Sequence, residues 1–299
     1  MFDFQDRVAI VTGAGGGLGR SHALLLARRG AAVVVNDLGG ARDGTGESMS
    51  PADTVVAEIR EAGGAAVASY DSVTSPQGGE AIVQTAVDEF GRVDVLINNA
   101  GILRDVTLIN MDWEALDAVL AVHLKGAFYV TRPAFRQMKE AGYGRVIVTA
   151  SNGGLLGNFG QTNYGAAKMG LVGFMNVLKL EGAKYDIKVN AIAPLARTRM
   201  TEDLLGPLAD KLDPDKVSPV VAYFASEECA FSGDIWSVGG GSVSRMFVGV
   251  TEGWFKPGGE TPTVEEVADH VDEIRSADGY AVLSSATDEF TKLGSKLFG

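Results

Sequence analysis

The chain has 299 residues, 46% hydrophobic and 21% charged, with a formal net charge of −12. That is enough apolar content to bury one large core, and the acidic balance argues against a general affinity for nucleic acid or anionic membranes. No apolar run is long enough to span a bilayer, and the single Cys229 has no intrachain disulfide partner, which fits a reducing compartment.

The N-terminus, MFDFQDRVAI, is acidic and runs straight into a strand, unlike a signal peptide. Residues 7–12 read as that strand, TGAGGGLG follows, and residues 20–29 have helical character. A strand, a glycine turn and a helix in this order suit a nucleotide. Glycines let the backbone turn tightly beside a pyrophosphate, which the helix N-terminus attracts. The G-x-G-x-x-G spacing fails, because the third glycine would fall on Leu18 or Arg20. T-G-x-x-x-G-x-G fits, on Thr12, Gly13, Gly17 and Gly19. A purely structural turn is the alternative.

Residues 32–36 form a second buried strand ending in Asp37. An acid there meets the adenosine ribose hydroxyls and repels a 2′-phosphate. Gly16 offers no cation. Both features favour NAD over NADP, while Arg20 and Arg42 argue the other way; a loop cap is the alternative role for Asp37. Residues 38–50 form a polar, glycine-rich loop, long for a βα connection. It either folds over the adenosine side or is mobile. A helix over 51–62 and a third strand over 65–70 lead to Asp71-Ser72-Val73, where Asp71 either meets the adenine amino group or caps the next helix.

Residues 77–90 are helical, and 93–97 form a fourth strand leading to NNAG, Asn98 to Gly101. Asparagine side chains there can brace a turn beside a cofactor. A long helical stretch over 111–138 carries His123, with interruptions expected near Gly126 and Pro133. Residues 145–150 are a fifth strand closed by Ser151, 188–192 a sixth followed by Pro194, and 235–238 a seventh. The βαβα alternation predicts an α/β, doubly wound parallel sheet with helices on both faces. The candidate groups fall at strand carboxyl ends, where open α/β sheets bind ligands.

Residues 195–212 form a candidate substrate lid carrying Arg197 and Arg199. These cations meet either substrate phosphates or surface carboxylates. Residues 1–241 are read as the catalytic domain and 242–299 as an extension that packs on it or on a neighbouring subunit. In the extension, 242–258 look extended and 261–277 helical, with Thr263 as N-cap and His270 as an exposed or packing residue.

The chemistry concentrates in residues 151–168, SNGGLLGNFGQTNYGAAK. Tyr164 and Lys168 are four positions apart, on one face of a helix. A free tyrosine titrates near ~10. A lysine ammonium one turn away favours the phenolate and brings it toward the pH where general acid–base transfer works best. Ser151, at a strand end, would hold a substrate oxygen as its charge changes. Tyr-x-x-x-Lys alone is common by chance; its setting gives it weight. Cys229, in ASEECAFSG at a helix end, is not read as catalytic.

Across residues 5–241 the chain resembles the short-chain dehydrogenases/reductases, on TGAGGGLG, NNAG, Ser151 and Tyr164-x-x-x-Lys168 in the right order. The resemblance implies a Rossmann-like domain with about seven parallel strands, a homodimer or homotetramer, and catalytic roles for Ser151, Tyr164 and Lys168. The cofactor-binding set is then Gly13, Gly17, Leu18, Gly19, Asp37, Asp71, Ser72, Val73, Asn99, Ala100, Gly101, Tyr164, Lys168 and Pro194. The substrate set is Ser151, Tyr164, Arg197 and Arg199, and no metal is expected. One departure stands out. HLKG places His123 where most of the superfamily has an asparagine that joins a water-mediated proton relay to the lysine.

The histidine, with VVVNDLGG, the glycine-rich insertion, NNAGILRD and GNFGQTNY, is similar to a narrower branch. That branch is the (3R)-hydroxyacyl-CoA dehydrogenase of peroxisomal multifunctional enzyme type 2 and its stand-alone bacterial relatives. The similarity implies NAD-dependent oxidation of a 3-hydroxyacyl-CoA in β-oxidation of fatty acids or sterol side chains. With no hydratase or sterol-carrier domain following and KLFG at the end, a cytoplasmic enzyme is expected. The competing expectations are a hydroxysteroid dehydrogenase or ketoreductase with a non-CoA substrate, and a non-catalytic NAD-binding protein.

Overall fold

The computed structural model describes residues 2–197 and 210–298. Residues 1–245 and 246–299 form two compact units.

The first unit alternates strands and helices as the patterning predicts. Its strands are β1 (Val8–Thr12), β2 (Ala32–Asn36), β3 (Ala66–Ser69), β4 (Val95–Asn98), β5 (Gly144–Thr149), β6 (Ile187–Pro194) and β7 (Ile235–Gly239), with β8 (Ser242–Met246) reaching its end. Between them run α1 (Gly17–Arg28), α2 (Ser50–Glu61), α3 (Pro76–Phe90), α4 (Trp113–Leu120), α5 (Gly126–Ala141), α6 (Asn152–Leu155), α7 (Thr162–Gly182) and α8 (Ser218–Ala225). The strands form one sheet in the order β3-β2-β1-β4-β5-β6-β7-β8, and β1 to β7 pair in parallel. Every residue of β1, β4 and β5 is buried, as in a sheet covered on both faces, and their side chains are apolar except for Thr12, Asn98, Arg145 and Thr149. The sheet has one strand more than expected. Ser242 to Arg245 are exposed, so β8 lacks a buried run that sequence patterning could detect.

Strand order reverses between β1 and β4. The loops leaving their carboxyl ends diverge there and open the crevice in which such sheets bind ligands. The glycine turn leaves β1 and NNAG leaves β4, so this topology brings them together.

The helical stretch over 111–138 is interrupted near Gly126, as expected, but not at Pro133. Ala121–Lys125 forms a π-helical turn that ends against Gly126, the first residue of α5, whereas Pro133 lies inside α5. Gly126 serves packing, since a Cβ there would stand 3.0 Å from Val73 Cγ2. Pro133 removes the helical donor to the Tyr129 carbonyl, and α3 presses Gly79 against that carbonyl, where a Cβ would come within 2.3 Å.

A buried polar string joins α1 to α8. His22 Nδ1 lies 2.8 Å from Ser218 Oγ, which lies 2.6 Å from Ser21 Oγ, and Ser21 donates to Asp215. Burial pushes His22 down to about 3 from an ordinary 6.5. Between those values the unfolded chain binds a proton that the folded chain rejects. Stability is therefore full above pH 6.5 and declines as pH falls toward 3. Unfolding in denaturant should show a lower midpoint at pH 5 than at pH 7, and His22→Gln should flatten that dependence. A midpoint that does not change between the two pH values would contradict the assignment.

The second unit is built on an antiparallel bridge, Val250 to Ala281. Thr263 caps α9 (Val264–Asp269) in a capping box with Glu266, as its position predicts. The expected single helix divides at His270, before α10 (Val271–Arg275). His270 packs, stacking on Trp254 at 4.2 Å. The final helix α11 (Ala286–Phe298) was not anticipated.

Candidate active site

Thr12 closes β1 and ties the two crevice loops together. Its hydroxyl accepts the backbone N–H of Asn99 at 3.0 Å and of Ala100 at 3.1 Å. The Asn99 amide returns the bond, donating to the carbonyls of Thr12 (2.9 Å) and Gly13 (3.1 Å). The glycine turn is held close: a Cβ on Gly19 would stand 2.2 Å from the Gly13 oxygen, a distance only glycine permits. Gly13 and Gly17 take positive φ, 65° and 52°. Leu18 packs against the core, leaving its backbone to the turn.

The start of α1 suits an anion. Its N-cap, Gly16, supplies no side-chain acceptor, and the first turn holds no acidic residue. The N–H groups of that turn and the positive end of the helix dipole therefore meet no acidic side chain of the helix itself, which matches the needs of a pyrophosphate. Asp37 stands beside this turn, its two carboxylate oxygens accepting N–H groups of Gly15 and Gly39, each at 2.7 Å. It braces the loop, and each oxygen retains a lone pair for a ribose hydroxyl. Arg20 pairs with Glu58. Asp71 does not cap α3: Ser75 does, accepting from the Gly78 N–H at 3.0 Å. The Asp71 carbonyl instead accepts from the Asn36 amide at 2.9 Å, and Val73 is buried near Gly126. The glycine-rich loop folds onto the segment after NNAG. Leu103 N–H donates to the Arg42 carbonyl and Arg104 Nε to the Asp43 carbonyl, both at 3.0 Å.

Ser151 sits at the end of β5 and accepts the Gly153 N–H at 3.1 Å, so it also caps the short α6. Tyr164 and Lys168 lie one turn apart on α7, with Lys168 Nζ 5.5 Å from the Tyr164 ring centre. Lys168 is buried and donates to the Thr149 carbonyl at 2.5 Å. Burial lowers it from 10.5 to about 7.

Tyr164 departs from expectation. Burial raises it above the ordinary tyrosine value and the charge of Asp105 adds to this, while a hydrogen bond from Ser151 works the other way. The lysine spends its close contact on the Thr149 carbonyl, so among the chain's own groups desolvation of the phenolate dominates.

His123, on the π-helical turn, packs its ring edge-on to Tyr164 at 5.2 Å and 88°. Its Nε2 lies 2.8 Å from the Ile102 carbonyl and 3.1 Å from the Ile102 nitrogen. Burial, with Lys168 nearby, brings it down to about 3, so the ring is neutral. Gly101 makes room for it: a Cβ there would stand 2.5 Å from His123 Cε1.

Pro194 ends β6 at the same carboxyl edge of the sheet. Arg197 forms an ion pair with Asp210 at 3.3 Å, the surface-carboxylate alternative of its two expected roles. Arg199 and most of the candidate lid lie outside the described residues. Sequence reasoning missed the seam that sets the angle of α7. Gln161 Nε2 donates to Asp105 at 2.7 Å, and the Asn163 amide donates to the Arg104 carbonyl at 3.0 Å. It also missed Thr149, whose contribution is a backbone oxygen that carries no residue-type signal. Among the described residues no group of His, Cys, Asp or Glu is arranged to hold a metal, and no helix is long and apolar enough to cross a membrane.

A doubly wound sheet with a glycine turn and a Ser-Tyr-Lys group at its switch crevice is the frame of a nucleotide-dependent oxidoreductase. The profile of the short chain dehydrogenase family matches residues 7–206, and the chain belongs to that family. It is 56% identical to a short-chain type dehydrogenase/reductase of Mycobacterium tuberculosis, over 92% of this chain and 96% of that protein. It is 50% identical to the peroxisomal hydratase-dehydrogenase-epimerase of Saccharomyces cerevisiae, over 91% of this chain and 30% of that protein. The solved full-length peroxisomal multifunctional enzyme type 2 of Drosophila melanogaster superposes with a TM-score of 0.83 at 38% identity, covering 99% of this chain and 50% of that one. The chain thus spans nearly all of the bacterial relative but half or less of the two peroxisomal proteins.

Proposed function

We propose that the chain oxidises a (3R)-hydroxyacyl-CoA to the 3-ketoacyl-CoA with NAD, in β-oxidation of fatty acids or sterol side chains. The observation that carries this reading is the meeting of Ser151, Tyr164 and Lys168 near the switch crevice that Asp37 also flanks. The likeness to a peroxisomal enzyme whose name includes a dehydrogenase supports the dehydrogenase part of this reading.

NAD would be held by the turn of Gly13, Gly17, Leu18 and Gly19, by Asp37, Asp71, Ser72 and Val73, by Asn99, Ala100 and Gly101, and by Pro194, Tyr164 and Lys168. When bound it supplies the hydride acceptor and a positive charge. Tyr164 takes the proton of the substrate 3-hydroxyl. Ser151 donates a hydrogen bond to the same oxygen and so fixes its position. Lys168, when protonated, offsets the negative charge that Tyr164 carries as base. A homodimer or homotetramer in the cytoplasm completes the proposal.

Two features support NAD over NADP. The Asp37 carboxylate would face a 2′-phosphate, and Arg20 is paired with Glu58. Catalytic efficiency should be higher with NAD, and Asp37→Ala should narrow the preference. Equal or better efficiency of the unaltered protein with NADP would overturn this part. The substrate is tested with 3-hydroxyacyl-CoAs of several chain lengths beside a steroid alcohol. Turnover confined to the alcohol would favour the non-CoA alternative.

A further inference from the structure

The glycine-rich loop that follows Asp37 is braced along its length. The Asp37 carboxylate joins the glycine turn to the start of this loop, accepting the Gly15 and Gly39 N–H groups at 2.7 Å each. Ser48 N–H closes the neck on the Leu38 carbonyl at 2.9 Å, and Ala41 N–H donates to the Thr45 carbonyl at 2.7 Å. The Asp43 carboxylate accepts the Thr45 N–H at 3.0 Å and its hydroxyl at 2.7 Å. The tip docks on the segment after NNAG, where Arg104 Nε donates to the Asp43 carbonyl at 3.0 Å. The guanidinium charge makes that a strong bond.

The same segment holds the start of α7. Tyr164 is the third residue of that helix, and the N-cap, Gln161, makes no side-chain cap bond to it. The Tyr164 N–H, a donor with no partner inside the helix, goes to Asn163 Oδ1 at 2.8 Å. Asn163 is buried and sends its amide out of the helix, to the carbonyls of Arg104 (3.0 Å) and Ala115 (3.4 Å). Gln161 Nε2 donates to Asp105 at 2.7 Å, and Gln161 also bridges Val106. The first turn of α7 thus takes its orientation from residues 104–106. Arg104 is held on two sides, by its guanidinium on the loop after Asp37 and by its carbonyl on the residue before Tyr164. Its ion pair with the exposed Glu114, at 3.3 Å, is a surface pair of the kind that contributes little.

We propose that Arg104 is a positioning residue for Tyr164, carrying the seating of the cofactor's adenosine half, through the glycine-rich loop, to the first turn of α7. A ribose hydroxyl on the Asp37 carboxylate adds a donor beside Gly15 and Gly39 and fixes the neck of the loop. The bracing fixes the tip with it, and Arg104 with the tip. Asn163 passes that order to the Tyr164 backbone. Continuous hydrogen-bond chains of this kind can couple distant sites. The device gives the long βα connection a task, since it must reach from the ribose subsite to the segment that orients α7. Alignment of the proton carrier then depends on the end of the cofactor that takes no part in hydride transfer. This inference rests on the dinucleotide reading of Asp37 and needs no particular substrate.

The test uses ADP, which has the adenosine and pyrophosphate of NAD but lacks the nicotinamide and its ribose, and so ends short of Tyr164. The protein is labelled with 3-fluorotyrosine, and the Tyr164 resonance is assigned by its loss in Tyr164→Phe. Fluorine NMR should show that resonance moving as ADP binds the unaltered protein. In Arg104→Met, ADP should bind with nearly unaltered affinity while the resonance stays in place. Glu114→Gln keeps the loop contact and should respond like the unaltered protein. With NAD and substrate saturating, Arg104→Met should lower kcat about tenfold or more, since a misplacement of about 1 Å can cost ~10²-fold, while the KM for NAD changes far less. ADP that binds without moving the resonance, or moves it equally in Arg104→Met, overturns the proposal. So does an unchanged kcat in Arg104→Met, or a Glu114→Gln variant that loses the response as fully. Failure of ADP to bind at all would overturn the nucleotide assignment, and this coupling with it. An intact ADP response in a protein that turns over no hydroxyacyl-CoA would uphold the coupling and overturn the proposed substrate instead.

Discussion

Tyr164→Phe is expected to cut kcat by a factor within or above the ~10²–10⁴ typical of general acid–base catalysis, with NAD affinity nearly unchanged. The substitution keeps the ring, and with it the edge contact to His123 at 5.2 Å, so packing is preserved. What disappears is the proton carrier and the hydroxyl that Ser151 meets. The residues assigned to the adenosine and pyrophosphate lie on other elements, around α1, β2 and NNAG, so binding should survive. Parallel measurements of kcat, NAD affinity and thermal midpoint check this. A folded Phe variant that turns over within a few-fold of the unaltered protein would remove Tyr164 from the chemistry.

Lys168→Ala should damage turnover and NAD binding together. The lysine is buried, and its ammonium bonds the Thr149 carbonyl at 2.5 Å. Its removal leaves that oxygen short of a donor, strips the positive charge from beside Tyr164, and takes away the group assigned to the nicotinamide ribose. The contrast with Tyr164→Phe is the informative part. A purely structural pair would lose stability in both variants, with residual activity tracking the folded fraction. Titration of NAD against both variants, beside single-turnover rates, separates the cases; unchanged NAD affinity in folded Lys168→Ala would contradict the assigned role.

The sheet was legible because its central strands are buried throughout and read as largely apolar runs between glycine turns. β8 was not, because four of its five residues face solvent. The break near Gly126 was legible, but its π form was not, because a π turn inserts one residue into a helix without changing composition. Pro133 drew attention as a second breaker, yet the helix continues through it, and Gly79 closes on the carbonyl that Pro133 leaves without its helical donor. Asp71 looked like a helix cap, yet the chain runs four residues further before Ser75 caps α3.

At the site, residue types and spacing located Ser151, Tyr164, Lys168 and the glycine turn. They could not give the direction of the lysine. That is set by the Thr149 carbonyl, a backbone atom. The same limit explains the tyrosine. Helical spacing placed a cation one turn away, but the balance between that cation and desolvation depends on where the Nζ points and how deeply the phenol is buried. The chain by itself leaves Tyr164 raised. A positive cofactor charge in the crevice would act in the opposite direction, so the tyrosine should become a competent base only with NAD bound.

The central claim is hydride removal from C3 of a (3R)-hydroxyacyl-CoA. It is tested most directly by incubating the protein with NAD and a (3R)-hydroxyacyl-CoA carrying deuterium at C3, then weighing the reduced cofactor by mass spectrometry. The account predicts NADH one mass unit heavier, formed together with the 3-ketoacyl-CoA, and no label transfer from the (3S) epimer. Unlabelled NADH, or label transferred from the (3S) epimer alone, would contradict it.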